Sequence, residues 1–163
     1  MISEALQQHP AVTSVSTRIP GAIVGASDDL GEMTLQIAPA RIVETCRVLK
    51  HHAKYIRLSG VTCVDRLPRE PRFDVVYLLH SVELNQRLRL KCAVGGETPE
   101  IHTVTGVWRG ANWYEREVYD LFGVRFIYHP HLTRILMPEY WQGHPLRKDY
   151  PIHGFKYSYT EET

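Results

Sequence analysis

WYEREVYDLFGVRFIYHPHLTRILMPEYWQGHPLRKDYP, residues 113–151, starts as a well-punctuated helix and then declines to become regular structure. Asn112, just before it, offers a side-chain oxygen as N-cap, and Glu115 three residues on completes a capping-box-like pair. Tyr114, Val118, Leu121 and Phe122 then fall on one face at helical spacing, and Gly123 supplies a left-handed stop. Glu115 and Glu117 fall in the first turn, where the helix macrodipole favours negative charge. Arg116 and Asp120, four apart, can pair along the helix, although arginine on the N-terminal side is the weaker orientation.

Beyond Gly123 a short strand-like VRFIY is followed by Pro130, Pro138, Pro145 and Pro151, too close together for a helix of ordinary length. The segment nevertheless carries Leu132, Ile135, Leu136, Tyr140, Trp141, Leu146 and Tyr150, more apolar surface than a disordered tail tolerates. It also far exceeds the ~12–15 residues at which a structureless loop becomes unusual in a compact domain. Burial against another protein resolves the conflict, with the aromatics as anchors and Arg147, Lys148 and Asp149 as a polar rim. The expected organisation is an α+β domain over 1–127 and an extended, proline-rich docking arm over 128–163.

Working back towards the N-terminus, Gly21 to Ile37 reads as a hairpin of AIVGA and MTLQI across Asp28-Asp29-Leu30-Gly31-Glu32. Pro39 can open a helix reaching about His52, with Ile42, Cys46, Leu49 and Ala53 as its buried stripe and Val43 widening it. Three strands follow, approximately Ile56 to Val64, Phe73 to His80 and Gln86 to Val94, and their linkers suit antiparallel neighbours. The last alternates: Leu88, Leu90 and Cys92 on one side, Arg87, Arg89 and Lys91 on the other. That basic row reads either as the solvated face of an edge or outer strand or as a partner contact. A short helix around Thr103 to Trp108 should lead into the capped helix. The fold class is therefore α+β, a mainly antiparallel sheet with helices packed on it, followed by the arm.

Composition excludes several functions. Nineteen basic against eighteen acidic residues leaves a net charge of +1, too little for a general nucleic-acid binder that must neutralise phosphates. No run of about eighteen apolar residues offers a membrane span, and MISEALQQHP lacks the regions of a signal peptide. The expected place is the cytoplasm, with a membrane reached only through partners. Glycine-rich dinucleotide and nucleotide loops and the G-x-S-x-G elbow are missing. Cys46, Cys63 and Cys92 are isolated and never form C-x-x-C, so an iron–sulfur cluster is not expected in this chain and three small buried hydrophobes are. His129, His131 and His144 with Asp149 match no common zinc spacing, and hydrogen bonding to backbone is the expected use of these imidazoles. Glu115 and Glu117 point apart on a helix and make a poor acid/base pair.

E-R-E-V-Y-D-L-F-G-V, then H-P-H-L-T-R-I-L-M-P, then W-Q-G-H-P-L-R-K-D-Y-P, resembles the C subunit, or 30 kDa subunit family, of the proton-pumping NADH:quinone oxidoreductase, respiratory complex I. The likeness runs from Trp113 to Pro151 with almost no gaps, and G-V-W-R-G-A-N-W just upstream fits as well; Thr133 departs from the basic residue or proline usual there. The resemblance implies a cofactor-free structural subunit of the peripheral arm, lying against the D subunit on the cytoplasmic face of the membrane. Flavin and the iron–sulfur clusters that carry electrons from NADH to quinone would belong to partner subunits. Close variants occur in ferredoxin-fed quinone oxidoreductases and membrane-bound hydrogenases. A different class, a free-standing adaptor or RNA-binding module, is opposed by the near-zero net charge and by the missing aromatic-rich ribonucleoprotein motif. The candidate partner-interface residues are Glu115, Arg116, Asp120, His129, Arg134, Trp141, His144, Arg147, Lys148 and Asp149.

Overall fold

A computed structural model describes residues 4–152. Two helices that periodicity alone does not expose open the chain, α1 (Glu4–Gln7) and α2 (Pro10–Arg18). α2 is well started: Pro10 occupies the first turn and the His9 ring accepts from the Ala11 N–H at 3.2 Å. Ala11, Val12 and Val15 of α2 are buried.

β1 (Ile23–Asp29) and β2 (Glu32–Ile37) form the expected hairpin. Leu30 and Gly31 both take positive φ, 56° and 77°, the conformation a two-residue turn needs to match the twist of its strands. A single 3-10 turn over Pro39–Arg41 precedes α3 (Ile42–His52), which buries Ile42, Thr45, Cys46 and Leu49. β3 (Arg57–Asp65), β4 (Phe73–Ser81) and β5 (Gln86–Val94) follow as an antiparallel meander.

These strands make one five-stranded sheet in the order β1-β2-β5-β4-β3, with β2 parallel to β5. β5 is therefore central, which corrects the expectation of an edge or outer strand. The crossover from β2 through α3, β3 and β4 brings the hairpin beside β5 rather than beyond β3. Leu35, Tyr77, Leu79, Leu88, Leu90 and Cys92 point to the helix-covered side of the sheet, and all are 2% exposed or less. All three cysteines are buried and free.

The expected helix around Thr103 to Trp108 is not formed. β6 (Glu100–His102) comes first, then a turn in which the N–H groups of Val107 and Trp108 both donate to the Val104 carbonyl. Thr105 N–H donates to Thr103 Oγ1, so side-chain bonding competes with a helical path there. α4 (Ala111–Phe122) leads to β7 (Arg125–Ile127), which pairs in parallel with β6 as a small second sheet. From 128 to 152 no helix or strand forms.

Candidate functional site

α4 begins two residues earlier than expected, at Ala111. Gly110 is its N-cap residue, in a helical conformation and without a side-chain cap, so Asn112 does not cap it. Glu115 does not turn back to the helix start either. It is fully buried, accepting from Val104 N–H at 2.7 Å and from the Thr103 hydroxyl. Burial raises its carboxyl to about 7, against the lowering effect of those two bonds. His129 lies over it: its Nδ1 accepts from His131 N–H at 3.0 Å, leaving Nε2–H to donate to the Asn112 carbonyl at 3.3 Å, 3.8 Å from Glu115. Burial depresses the His129 imidazole below its ordinary value. Glu115 thus ties the β6–α4 turn to the helix at the root of the arm.

Asp120 is the second fixed point. Its Oδ2 accepts three consecutive arm amides, Ile135 at 3.0 Å and Leu136 and Met137 at 2.8 Å each, while Oδ1 takes the Arg134 guanidinium at 2.6 Å. Burial alone would raise this carboxyl, but the amides and Arg134 outweigh it and hold it low. The expected Arg116–Asp120 pair is absent. Arg116 instead donates to the carbonyls of Thr133 and Arg134 at 3.1 Å each and lies over the Trp113 ring. At the departure from the family pattern, residue 133, the group used is thus a backbone carbonyl.

The end of α4 supplies the third. Gly123 has φ +74°, and a Cβ there would stand 2.5 Å from both His144 and Arg147. The absent side chain lets the arm cross directly over the helix end. His144 Nδ1 donates to the Asp120 carbonyl at 2.9 Å, Arg147 Nε to the Phe122 carbonyl at 2.6 Å, and Leu146 N–H to the Leu121 carbonyl at 3.1 Å. These cover carbonyls that a helix otherwise leaves to solvent, and they place a cation at the negative end of the macrodipole.

A fourth contact is not legible locally. Arg72 forks between two carboxylates, reaching Asp65 at 2.6 and 2.9 Å and Asp149 at 2.6 and 3.0 Å. Asp65 also accepts the Lys148 N–H at 2.9 Å. The Arg72 guanidinium holds both carboxyls below their usual range, that of Asp65 furthest. The guanidiniums of Arg72 and Arg147 both lie against the Phe73 ring, at 4.9 and 5.3 Å. Sequence pattern shows Asp65 and Arg72 only as a linker, because their partners stand 83 and 77 positions away in the chain.

Of the ten candidate interface residues, nine are gathered into these fastenings. Lys148 takes part through its backbone only, and Arg134 also reaches the Gly143 carbonyl at 3.1 Å. Trp141 stands apart: its N–H donates to the Pro138 carbonyl at 2.9 Å, and its indole Nε1 is buried with no hydrogen-bond partner among the described residues. The fastenings commit their charged side chains to the arm, to the helix end it crosses and to the turn at its root, so their chemical capacity is positioning. What they present outward is Leu136, Tyr140, Leu146 and Ile152, each more than half exposed.

The model of the family described as the 30 Kd subunit of respiratory-chain NADH dehydrogenase matches residues 35–156. This chain belongs to that family. The match to the 30 kDa subunit family covers β2 through the arm, well upstream of the signature run. The chain is 46% identical over 149 residues to the C subunit of NADH-quinone oxidoreductase from Geobacter sulfurreducens, covering 91% of this chain and 92% of the relative. It is 40% identical over 158 residues to the corresponding protein of Roseiflexus castenholzii, covering 96% and 91%. Among solved structures it is similar to Nqo5 as a trypsin-resistant fragment, at 34% identity and a TM-score of 0.59 over 66% of this chain and 89% of that one. It is also similar to a chain of the membrane-bound sulfane sulfur reductase, an archaeal respiratory membrane complex, at 25% identity and a TM-score of 0.74 over 86% and 84%. Among the described residues, no helix is long and apolar enough to cross a membrane.

Proposed function

We propose that this chain is a structural, cofactor-free subunit in the peripheral arm of a proton-pumping NADH:quinone oxidoreductase and that, at the cytoplasmic face of the membrane, it docks on the D subunit. Electrons pass from NADH through flavin and iron–sulfur clusters held by partner subunits to quinone, and this chain supports that path by holding its neighbours in place. The observation that carries the reading is the arm from 128 to 152. It has no regular structure, yet Asp120 and Arg116 hold its backbone while its Arg147 and Asp149 side chains are tied to the Phe122 carbonyl and to Arg72, so its exposed Leu136, Leu146 and Ile152 are presented on a pre-ordered surface. Ordering before contact lowers the entropy lost on docking, and side chains half exposed in the free chain have apolar area left to bury. The fastening residues then act on the partner through the arm they shape.

The test is copurification of a tagged chain from gently solubilised membranes, followed by identification of its companions and an NADH-driven quinone reduction assay. An NADH-oxidising redox assembly that includes the D subunit supports the reading; a lone chain, or one bound to nucleic acid, overturns it. Leu136→Glu with Leu146→Glu should leave the free chain folded and remove it from the assembly. The likeness to the sulfane sulfur reductase, a respiratory complex named for another reaction, favours a second reading in which the docking is the same and the redox partners differ. An assembly that reduces quinone with ferredoxin and not with NADH selects it. Elemental analysis and an absorption spectrum of the isolated chain test the cofactor-free reading, and stoichiometric iron or a flavin band refutes it.

A further inference from the structure

One side of the five-stranded sheet carries the core, and the other is largely exposed. On that open side the strand register sets Arg57, His80 and Arg87 in one row across β3, β4 and β5, with Leu78 and Arg89 in the next. Neighbouring strands lie about 4.8 Å apart, so the Cα atoms of Arg57 and Arg87 stand about 10 Å from one another with His80 between them. Around them the surface sinks into a hollow of about 480 Å³ that contains Leu78.

The acids on this side do not balance the cations. Glu32 is engaged by Arg89 and lies 4.0 Å from Arg87, while Asp74 is paired with Arg66 at 3.0 Å. Arg57 has no ion pair among the described residues, and Arg87 is 81% exposed at its side chain. Arg57 also borders a second hollow, of about 740 Å³, that contains Ile56, Val82, Trp108 and Arg109. Ile56 and Val82 are more than half exposed there, and Arg109 too lacks an ion pair among the described residues. A segment crossing Arg57 from one hollow to the other would meet Arg87, Arg57 and Arg109 in turn, with Leu78, Ile56 and Val82 beside them.

We propose that these two hollows form a second docking surface, distinct from the arm, for an extended acidic segment of a neighbouring protein subunit in which carboxylates alternate with apolar side chains. Charge complementarity selects the acid: arginine forks take carboxylates bidentately, and Arg57 and Arg109, without an ion pair among the described residues, gain most from a partner of opposite sign. The apolar residues select a protein. Single-stranded nucleic acid would need exposed aromatic platforms for its bases; the first hollow holds no Phe, Tyr or Trp, and Trp108, which lines the second, is 7% exposed with its indole N–H bonded to the Ile56 carbonyl. A membrane surface would also meet the exposed Ile56 and Val82, so vesicle binding is an outcome that overturns the proposal. The inference rests on the assembly reading only for which neighbour supplies the segment.

The test uses the chain in its native membrane assembly. Arg57→Glu with Arg109→Glu should lower the recovery of companion subunits on the order of tenfold at physiological salt, and Arg57→Gln with Arg109→Gln should lower it less. Arg18→Glu, on α2, is the control and should have no effect; circular dichroism confirms the fold of each variant. Arg57→Lys and Arg109→Lys add amines, so a carbodiimide should join them directly to Asp or Glu side chains of one neighbour, read by mass spectrometry. The proposal fails if the Glu variants assemble as wild type and the Lys variants give no new carboxylate cross-links. It also fails if the free chain binds phosphatidylglycerol vesicles or single-stranded RNA through the same arginines. Copurification of the wild-type chain is read separately, so losing this surface leaves the assembly reading standing.

Discussion

Asp120→Asn replaces one carboxylate oxygen by an NH₂ of nearly the same size, and the arm is organised so that this single change must orphan something. The carboxylate accepts three amides on Oδ2 and one guanidinium on Oδ1. An asparagine oxygen can serve one side only. The less costly orientation keeps the oxygen towards Ile135, Leu136 and Met137 and turns the NH₂ against Arg134. Breaking a buried ion pair costs about 3–5 kcal/mol, and a hydrogen bond to a charged group contributes about 1.5–3. Arg134 keeps its bonds to the carbonyls of Asp120 and Gly143 and its side chain is 17% exposed, which places the expected cost near the lower values, about 2–3 kcal/mol. The cost falls on arm attachment more than on the sheet. Amide hydrogen exchange at Ile135, Leu136 and Met137 should therefore accelerate roughly 30- to 150-fold, at about 1.4 kcal/mol per tenfold, while β4 and β5 stay protected. Asp149→Asn is the comparison: its side chain is 52% exposed, and it should cost less than about 1 kcal/mol. Exchange at the three amides within twofold of wild type, in a folded Asp120→Asn chain, would refute the account of Asp120 as the arm's anchor.

Glu115→Gln tests the buried carboxyl at the arm's root. Its folded value of about 7 lies above the unfolded one, about 4.3, so between them the folded state binds more protons and stability falls as pH rises. Converted at about 1.4 kcal/mol per tenfold in proton affinity, the loss reaches about 3 kcal/mol by neutral pH. His9, His129 and His144 have depressed values and act in the opposite sense, adding stability as pH rises, so the readout is the wild-type minus Glu115→Gln difference in chemical denaturation from about pH 5 to about pH 8. A flat difference would show that Glu115 titrates alike folded and unfolded. Gly123→Ala forces a Cβ against His144 and Arg147 at positive φ, and should cost about 2 kcal/mol or more and loosen the arm's crossing of α4. An unchanged midpoint would mean that the arm shifts freely there.

Much of this protein was determined by short-range sequence pattern. The period of two in Leu88, Leu90 and Cys92, the stripe Ile42, Cys46 and Leu49, and the stop at Gly123 depend only on backbone geometry and on which side chains water rejects, and the structure keeps all three. The family signature from Trp113 to Pro151 was legible for the same reason: it is a contiguous string. Other features were decided by tertiary structure alone. Glu115 fits a capping box by spacing, yet the core accepts it because Thr103 and Val104 arrive from outside the helix with donors. Arg116 and Asp120 have the spacing of a helical pair, but three arm amides and Arg134 surround the carboxylate more completely than one arginine could. The central place of β5 follows from a parallel pairing with β2 that no local period encodes, and the Asp65–Arg72–Asp149 fork joins residues remote along the chain. Hydrophobic period is a property of neighbours in sequence, whereas the partner of a buried charge is whichever opposite group the folded chain brings within about 3 Å, and only the closed structure makes that choice.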